Sequence, residues 1–276
     1  MSNTGDLQIV ERYFDAASDY WREVYADDGL QGLVYRERMH TALCWINDLD
    51  LGAGCGALDV GCGAGLMAVQ LACRGIQVTA TDSSGAMVEL ARRESEHALV
   101  ADRMRIVQAD AHALPFSSES FELVVALGLL PWARDPARVV AEMARVLKPG
   151  GWLILTADNR QRLNAVVEPR ENPALWPLKL GLRAYRRTRR SAPTAGAPSR
   201  LHFPRNVQHM LTGAGLVTAR QATVGFGPFT FLGRPVMSEA AALRLHSGLR
   251  RWSAAGMKRL RRHGWHYVVA ARKPDR

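Results

Sequence analysis

From about Gln8 to Asp48 the apolar residues recur at helical spacing: Val10, Tyr13, Phe14, Ala17, Tyr20, Trp21 and Val24, then Val34, Met39, Leu43 and Ile46. A break near Asp27-Asp28-Gly29 divides the stretch, which predicts two or three helices. Beyond it, short apolar runs ending in Gly, Asp or Pro alternate with segments of helical period. The pattern predicts strands at 57–60, 76–81, 104–108, 121–126 and 151–157, with helices at 65–74, 84–95 and 135–147. A further helix over 206–212 and strands at 216–223 and 265–271 complete the series. Such alternation implies an α/β chain whose mostly parallel, doubly wound sheet is covered on both faces.

The first strand runs into Gly61-Cys62-Gly63-Ala64-Gly65, and the second ends on Asp82. An apolar run that ends in Asp59 and Val60 and breaks into alternating glycines reads as a strand, a tight turn and a helix start, where bare backbone approaches a ligand closely. A carboxylate at the tip of the next strand accepts both hydroxyls of a ribose. A dinucleotide fingerprint spaces its glycines G-x-G-x-x-G, whereas here the third glycine comes one residue early and Leu66 fills the expected slot. The pocket is therefore a nucleoside site that need not cradle phosphates.

At this point the chain resembles the class I S-adenosylmethionine-dependent methyltransferases, of the small-molecule type that includes quinone and porphyrin methyltransferases. Leu58 to Gly65 resembles their first motif and Asp82 their second acidic position. Gln108 to Phe116 is similar to the adenine-side loop, Phe121 to Leu130 to the fourth strand, and Ala141 to Gly151 to the helix and turn before strand five. The resemblance spans roughly residues 55 to 158 and implies a Rossmann-like sheet of seven strands with the last one antiparallel. It implies S-adenosylmethionine as cofactor, held by Asp59, Gly61, Cys62, Gly63, Gly65, Asp82, Ser83, Asp110, Ala111 and Leu127. Within that set Asp59 orients the glycine turn or meets the methionine amino group, Asp82 takes the ribose, Asp110 the adenine amino group, and Leu127 marks backbone near the methionine. Tyr13-Phe14-Asp15 with Asp19-Tyr20-Trp21 resembles the segment that closes over the cofactor in such enzymes, with Tyr20 as the lid contact; ordinary helix packing explains the same spacing.

The division that follows is a helical lid over 1–50 and a methyltransferase domain over 51–276, with a basic cap insertion at 159–200 and a second insertion at 225–263. Charge separates these parts. The chain carries 36 Lys and Arg against 26 Asp and Glu, a net +10. Between 160 and 200 there are ten basic residues against two acids, and between 240 and 263 seven against none. The basicity thus belongs to the insertions, and the cofactor core is close to neutral or slightly acidic. Four cysteines without a C-x-x-C pair argue against zinc or a disulfide framework and fit thiols in a reducing cytosol. No metal is expected. The polar start of the chain and the shortness of its apolar runs imply neither export nor a membrane span, so a cytoplasmic location is expected, with peripheral membrane contact as the alternative.

Methyl transfer asks for alignment, exclusion of water and, for some acceptors, removal of a proton. Candidate bases are His112, His202 and Tyr20, with Tyr13 and Tyr35 beside them; for each His a surface or hydrogen-bonded role is the plainer reading. Over 173–190, Leu, Trp176 and Tyr185 are interleaved with arginines, which suits an anionic membrane interface, an anionic small molecule, or a covering helix with a solvated basic face. Nucleic acid is disfavoured: the chain has Leu129-Leu130-Pro131-Trp132 where an amino-methylating DNA enzyme has Asn or Asp before Pro-Pro, and no Cys lies beside Pro. Phe226, Phe229 and Phe231 either wall an apolar substrate cavity or fill core. The expected acceptor is small or lipid-like and methylated at oxygen. The alternatives are methylation at N or C of an anionic small molecule, a non-catalytic nucleoside binder, and a Rossmann oxidoreductase. The sequence sets no oligomeric state.

Overall fold

The computed structural model describes residues 5–49, 51–52, 54–169, 172, 199–257 and 259–275. Seven strands form one sheet: β1 (Gly56–Val60), β2 (Gln77–Asp82), β3 (Met104–Gln108), β4 (Phe121–Ala126), β5 (Leu147–Asp158), β6 (Val217–Val224) and β9 (His266–Arg272), in the order β3-β2-β1-β4-β5-β9-β6. The first five pair in parallel, and β9 runs antiparallel to both β5 and β6. A two-stranded hairpin, β7 (Thr230–Phe231) with β8 (Arg234–Pro235), lies between β6 and β9 in sequence.

Both faces of the central strands are buried, which is why they read as unbroken apolar runs. Leu58, Val60, Val124 and Ala126 point into a core closed by the helices Pro136–Val146 and Pro204–Gly213. Ala57, Leu123 and Val125 point the opposite way, against the helix Leu66–Ala72. Ala42, Leu43 and Ile46 of the helix Leu30–Asn47 join this second core. That helix thus packs against the sheet, whereas the helices Gly5–Ala16 and Ser18–Glu23 contribute no residue to this core.

The predicted elements recur with their ends shifted by a residue or two, except at β5. Expected from 151, it starts at Leu147, because Leu147 pairs with Phe121 before a register shift carries Lys148 to Gly151 past β4. Asp135 caps the helix Pro136–Val146 by accepting from the Arg138 N–H at 3.1 Å, and a proline at its first turn fits the fixed φ there.

Candidate functional site

A crevice opens beyond the carboxyl ends of β1, β2, β4 and β5, where strand order reverses and open α/β sheets hold their ligands. Strand tips and the turns after them supply Asp59, 61–64, Asp82, Ser83, 109–112, 127–129 and Asp158, the leading helices supply Phe14, Trp21, Tyr35 and Arg38, and the turn between them supplies Tyr25. The atom-free space between these walls, open mouth included, is about 1230 Å³.

The glycine turn is fastened to the neighbouring strand. Gly61 and Cys62 donate their N–H groups to the Thr81 carbonyl at 2.7 and 2.9 Å, Gly63 donates to the Asp82 carboxylate at 2.9 Å, and Gly65 to the Cys62 carbonyl at 2.9 Å. These four N–H groups, the kind a pyrophosphate would need, are already spent within the protein. Gly63 has a φ of 53°, and a Cβ placed on it meets nothing within 4 Å, so the turn leaves a hollow where a side chain would stand.

Three carboxylates mark the strand ends. Asp82 accepts from Gly63 with one oxygen and from the Ser84 N–H with the other at 3.0 Å; burial raises its pKa and those N–H groups oppose the rise. Asp59 is buried with its Oδ2 unpartnered, and burial, with Asp82 nearby, pushes its pKa up to about 7. Asp158 pairs with the buried His266 at 3.1 Å; burial works against its charge, but the His266 hydrogen bond and nearby Arg162 and Arg38 hold it below the usual carboxylate range. Burial lowers His266 to about 4, so it is a neutral imidazole.

Arg38 is 4% exposed, lies over the Tyr35 ring at 4.6 Å, and donates to the Tyr25 hydroxyl at 2.6 Å, while its Nε has no partner. No carboxylate lies within ion-pair distance of it among the described residues. The guanidinium faces the crevice beside Gly128, where an added Cβ would stand 2.7 Å from its Nη1. Above it, Trp132 takes a stacked contact from Tyr13 at 5.3 Å and edge contacts from Phe14 and Trp21. Asp15 fixes the first helix over the crevice by accepting from the Ser84 hydroxyl at 2.5 Å.

Of the residues singled out from the sequence, Asp59, Gly61, Cys62, Gly63, Asp82, Ser83, Asp110, Ala111, Leu127 and His112 come together in this crevice. Others do not. Gly65 lies at a helix crossing instead: a Cβ there would meet Ala91 at 2.8 Å. Tyr20 is 43% exposed with its hydroxyl on Gln31, because the short helix Ser18–Glu23 turns Trp21 inward in its place. His202 lies outside the lining, with Nε2 3.3 Å from the Leu130 carbonyl and a pKa lowered by burial. His112 is in the wall but is tied at both nitrogens, Nδ1 to Asp110 at 2.6 Å and Nε2 to the Asp135 N–H at 3.2 Å, so no lone pair is left for a substrate proton. Among the other candidates Tyr35 lines the crevice and Tyr13 does not. Phe226 and Phe229 are packed with Leu249 in a satellite core and Phe231 is exposed, so these rings fill core or meet solvent and do not wall this crevice. The basic stretch 173–190 lies outside the described residues.

Arg38 and Asp158 escaped the sequence reading. Leu30, Val34, Ala42 and Ile46 are buried at four-residue steps along one helix, and Arg38 occupies the missing step. Asp158 ends an apolar strand as Asp82 does, and Asp59 lies one residue before the end of its own, which is the signal the three share.

Residues 58–155 match the family model described as a methyltransferase domain. Those residues form a methyltransferase domain. S-adenosylmethionine is the cofactor of that family. The chain is 31% identical over 160 residues to a ubiquinone biosynthesis O-methyltransferase of Thiobacillus denitrificans, covering 58% of this chain and 66% of that one. It is 28% identical over 160 residues to the sterol 4-C-methyltransferase strm-1 of Caenorhabditis elegans, covering 55% and 48%. The chain thus spans between about half and two thirds of the length of these curated relatives. In fold it is similar to the magnesium protoporphyrin IX methyltransferase of Synechocystis PCC 6803 with bound S-adenosylhomocysteine, at a TM-score of 0.64 and 18% identity over 96% of this chain and 98% of that one. It is likewise similar to the [4+2]-cyclase SpnF, at a TM-score of 0.61 and 20% identity over 98% and 97%. A methyltransferase fold therefore does not by itself fix the reaction.

Proposed function

We propose that the chain is an S-adenosylmethionine-dependent methyltransferase acting on a small or lipid-like acceptor at an oxygen atom. The observation that carries this reading is the pair of charged groups facing the crevice with unpartnered atoms, Asp59 Oδ2 beside the glycine turn and Arg38 Nε, in a wall where Trp21 Nε1 is unpartnered as well. Buried polar groups are ordinarily paired, so these await a ligand that brings an ammonium and a carboxylate. An amino acid end joined to a nucleoside is such a ligand. Asp82, with both oxygens anchored by backbone N–H groups and lone pairs to spare, suits the ribose hydroxyls. Asp110, held by His112, suits the adenine amino group. The occupied N–H groups of the turn speak against a dinucleotide, and with it against an oxidoreductase.

When bound, S-adenosylmethionine supplies an electrophilic methyl group on a sulfonium. Phe14, Trp21 and Trp132 exclude water from that end of the crevice, which alignment-driven transfer requires. With His112 tied and His202 and Tyr20 outside the lining, Asp158 is the carboxylate positioned to accept a hydrogen bond from an acceptor hydroxyl. A carbon nucleophile brings no such donor, and this is what supports oxygen over carbon. The test is transfer of label from S-[methyl-14C]adenosylmethionine into an organic-solvent extract of cells. Label that resists alkali but leaves as methyl iodide in hot hydriodic acid indicates a methyl ether, and label retained through both treatments indicates methylation at carbon; binding of the cofactor with no transfer to any extract indicates a non-catalytic binder.

A further inference from the structure

The helix Glu239–Ala254 shows solvent a face that is both apolar and cationic. Ala242, His246 and Leu249 are its buried side, facing the domain. On the outer side Leu245 and Trp252, seven residues apart, are 36% and 56% exposed, and Met257, just beyond the helix, is 50% exposed. Arg244 and Arg251 repeat the same spacing one step away and are exposed as well, so an apolar stripe runs alongside a basic one. Exposed Arg259, Arg261 and Arg262 continue the charge past the end of the helix. The segment 240–263 has no acidic residue, and the one acid of the helix, Glu239, accepts from the Leu30 N–H.

We propose that this face is a docking surface for an anionic lipid bilayer. A free tryptophan and leucine beside arginines, with no acid to neutralise them, is the arrangement that rests in a bilayer interface: the apolar side chains enter the acyl boundary, the indole stays at headgroup depth, and the guanidinium groups reach lipid phosphates. A second protein would ordinarily meet such a cationic strip with carboxylates, and this chain's own acids are sparse on it. The helix is tied to the wall of the crevice. Glu37, one residue before Arg38, accepts from Arg250 at 2.7 Å and lies 3.1 Å from His246. Docking would therefore set the helix Leu30–Asn47, and the crevice it roofs, close to the membrane from which a lipid-like acceptor would come.

The test is flotation of the full chain with vesicles of phosphatidylcholine alone and with vesicles containing about one third phosphatidylglycerol. Capture by the anionic vesicles, weakened by salt, is expected. Both Leu245→Ala/Trp252→Ala and Arg244→Glu/Arg251→Glu should lower it at least roughly tenfold, since each arginine near an anionic surface counts for about a factor of five. Thermal stabilisation by S-adenosylhomocysteine in each variant shows that the fold and crevice are intact, and its outcome is independent of the membrane result. Capture by neither vesicle would overturn the proposal. So would undiminished capture of both variants, which would assign it to another segment such as 173–190, or a dimer in light scattering that the variants split without any vesicle binding.

Discussion

Asp82 accepts a hydrogen bond from the Gly63 N–H at 2.9 Å, although 19 residues separate them. The contact joins the tip of β2 to the turn after β1, so one carboxylate both shapes the hollow over Gly63 and faces it. Asp82→Ala should weaken S-adenosylhomocysteine binding by about 1–3 kcal/mol, the range for hydrogen bonds to a charged group. Calorimetric titration measures it, and unchanged affinity would refute the ribose assignment.

Arg38 donates to the Tyr25 hydroxyl, lies over the Tyr35 ring and helps hold the Asp158 carboxylate ionised, so Arg38→Met should lower the stability of the ligand-free protein. The same change should lower affinity for S-adenosylhomocysteine by about 1.5–3 kcal/mol. Calorimetric titration at a temperature where the variant remains folded measures it, and unchanged affinity would make Arg38 a purely structural residue.

The ligand-free protein should show opposed pH trends. Asp59 titrates near 7 when folded against 3.8 ordinarily, so the unfolded chain ionises first and stability falls as pH rises across that window, on the order of 4 kcal/mol. His266 titrates near 4 against 6.5, so the unfolded chain takes up its proton first and stability rises with pH from about 4 to 6.5. The two slopes partly cancel in the wild type. Asp59→Asn should uncover the rising limb, melting well above wild type at pH 8 and approaching it near pH 4. A gap that does not change with pH would contradict the assignment.

The covering helices give a contrast between neighbours. Tyr20→Phe removes a hydroxyl that meets Gln31 on the exposed side and should leave cofactor affinity within a factor of two or so. Trp21→Ala opens the aromatic wall around Trp132 and should cost transfer rate by admitting water. Equal effects of the two changes would overturn the placement of Trp21 inside.

The sheet was legible in the sequence because strand period and helix period alternate without conflict from Ala57 to Ala157, and Asp59, the glycine turn and Asp82 are local signals at strand ends. What escaped depends on rotation and tertiary pairing. Tyr20 and Trp21 are adjacent aromatics, and about 100° of helix rotation decides which one faces in. His112 is a candidate base in the sequence, with a hydrogen-bonded role as the plainer reading, and what no local pattern shows is that the backbone of Asp135, on a distant turn, occupies its second nitrogen. Arg38 looks like a surface charge until the four-residue steps around it are seen to be buried. The antiparallel pairing of β9 sets His266 opposite Asp158, a relationship between residues 108 apart that no local pattern announces.

The most direct measurement is calorimetric titration of the wild-type chain with S-adenosylhomocysteine and, separately, with NAD. Saturable one-to-one binding of the first and none of the second is predicted, since Asp59, Asp82 and Arg38 offer partners to a nucleoside joined to an amino acid and the turn keeps its N–H groups for itself. Absence of heat with S-adenosylhomocysteine, or binding of NAD in the same crevice, would contradict the account.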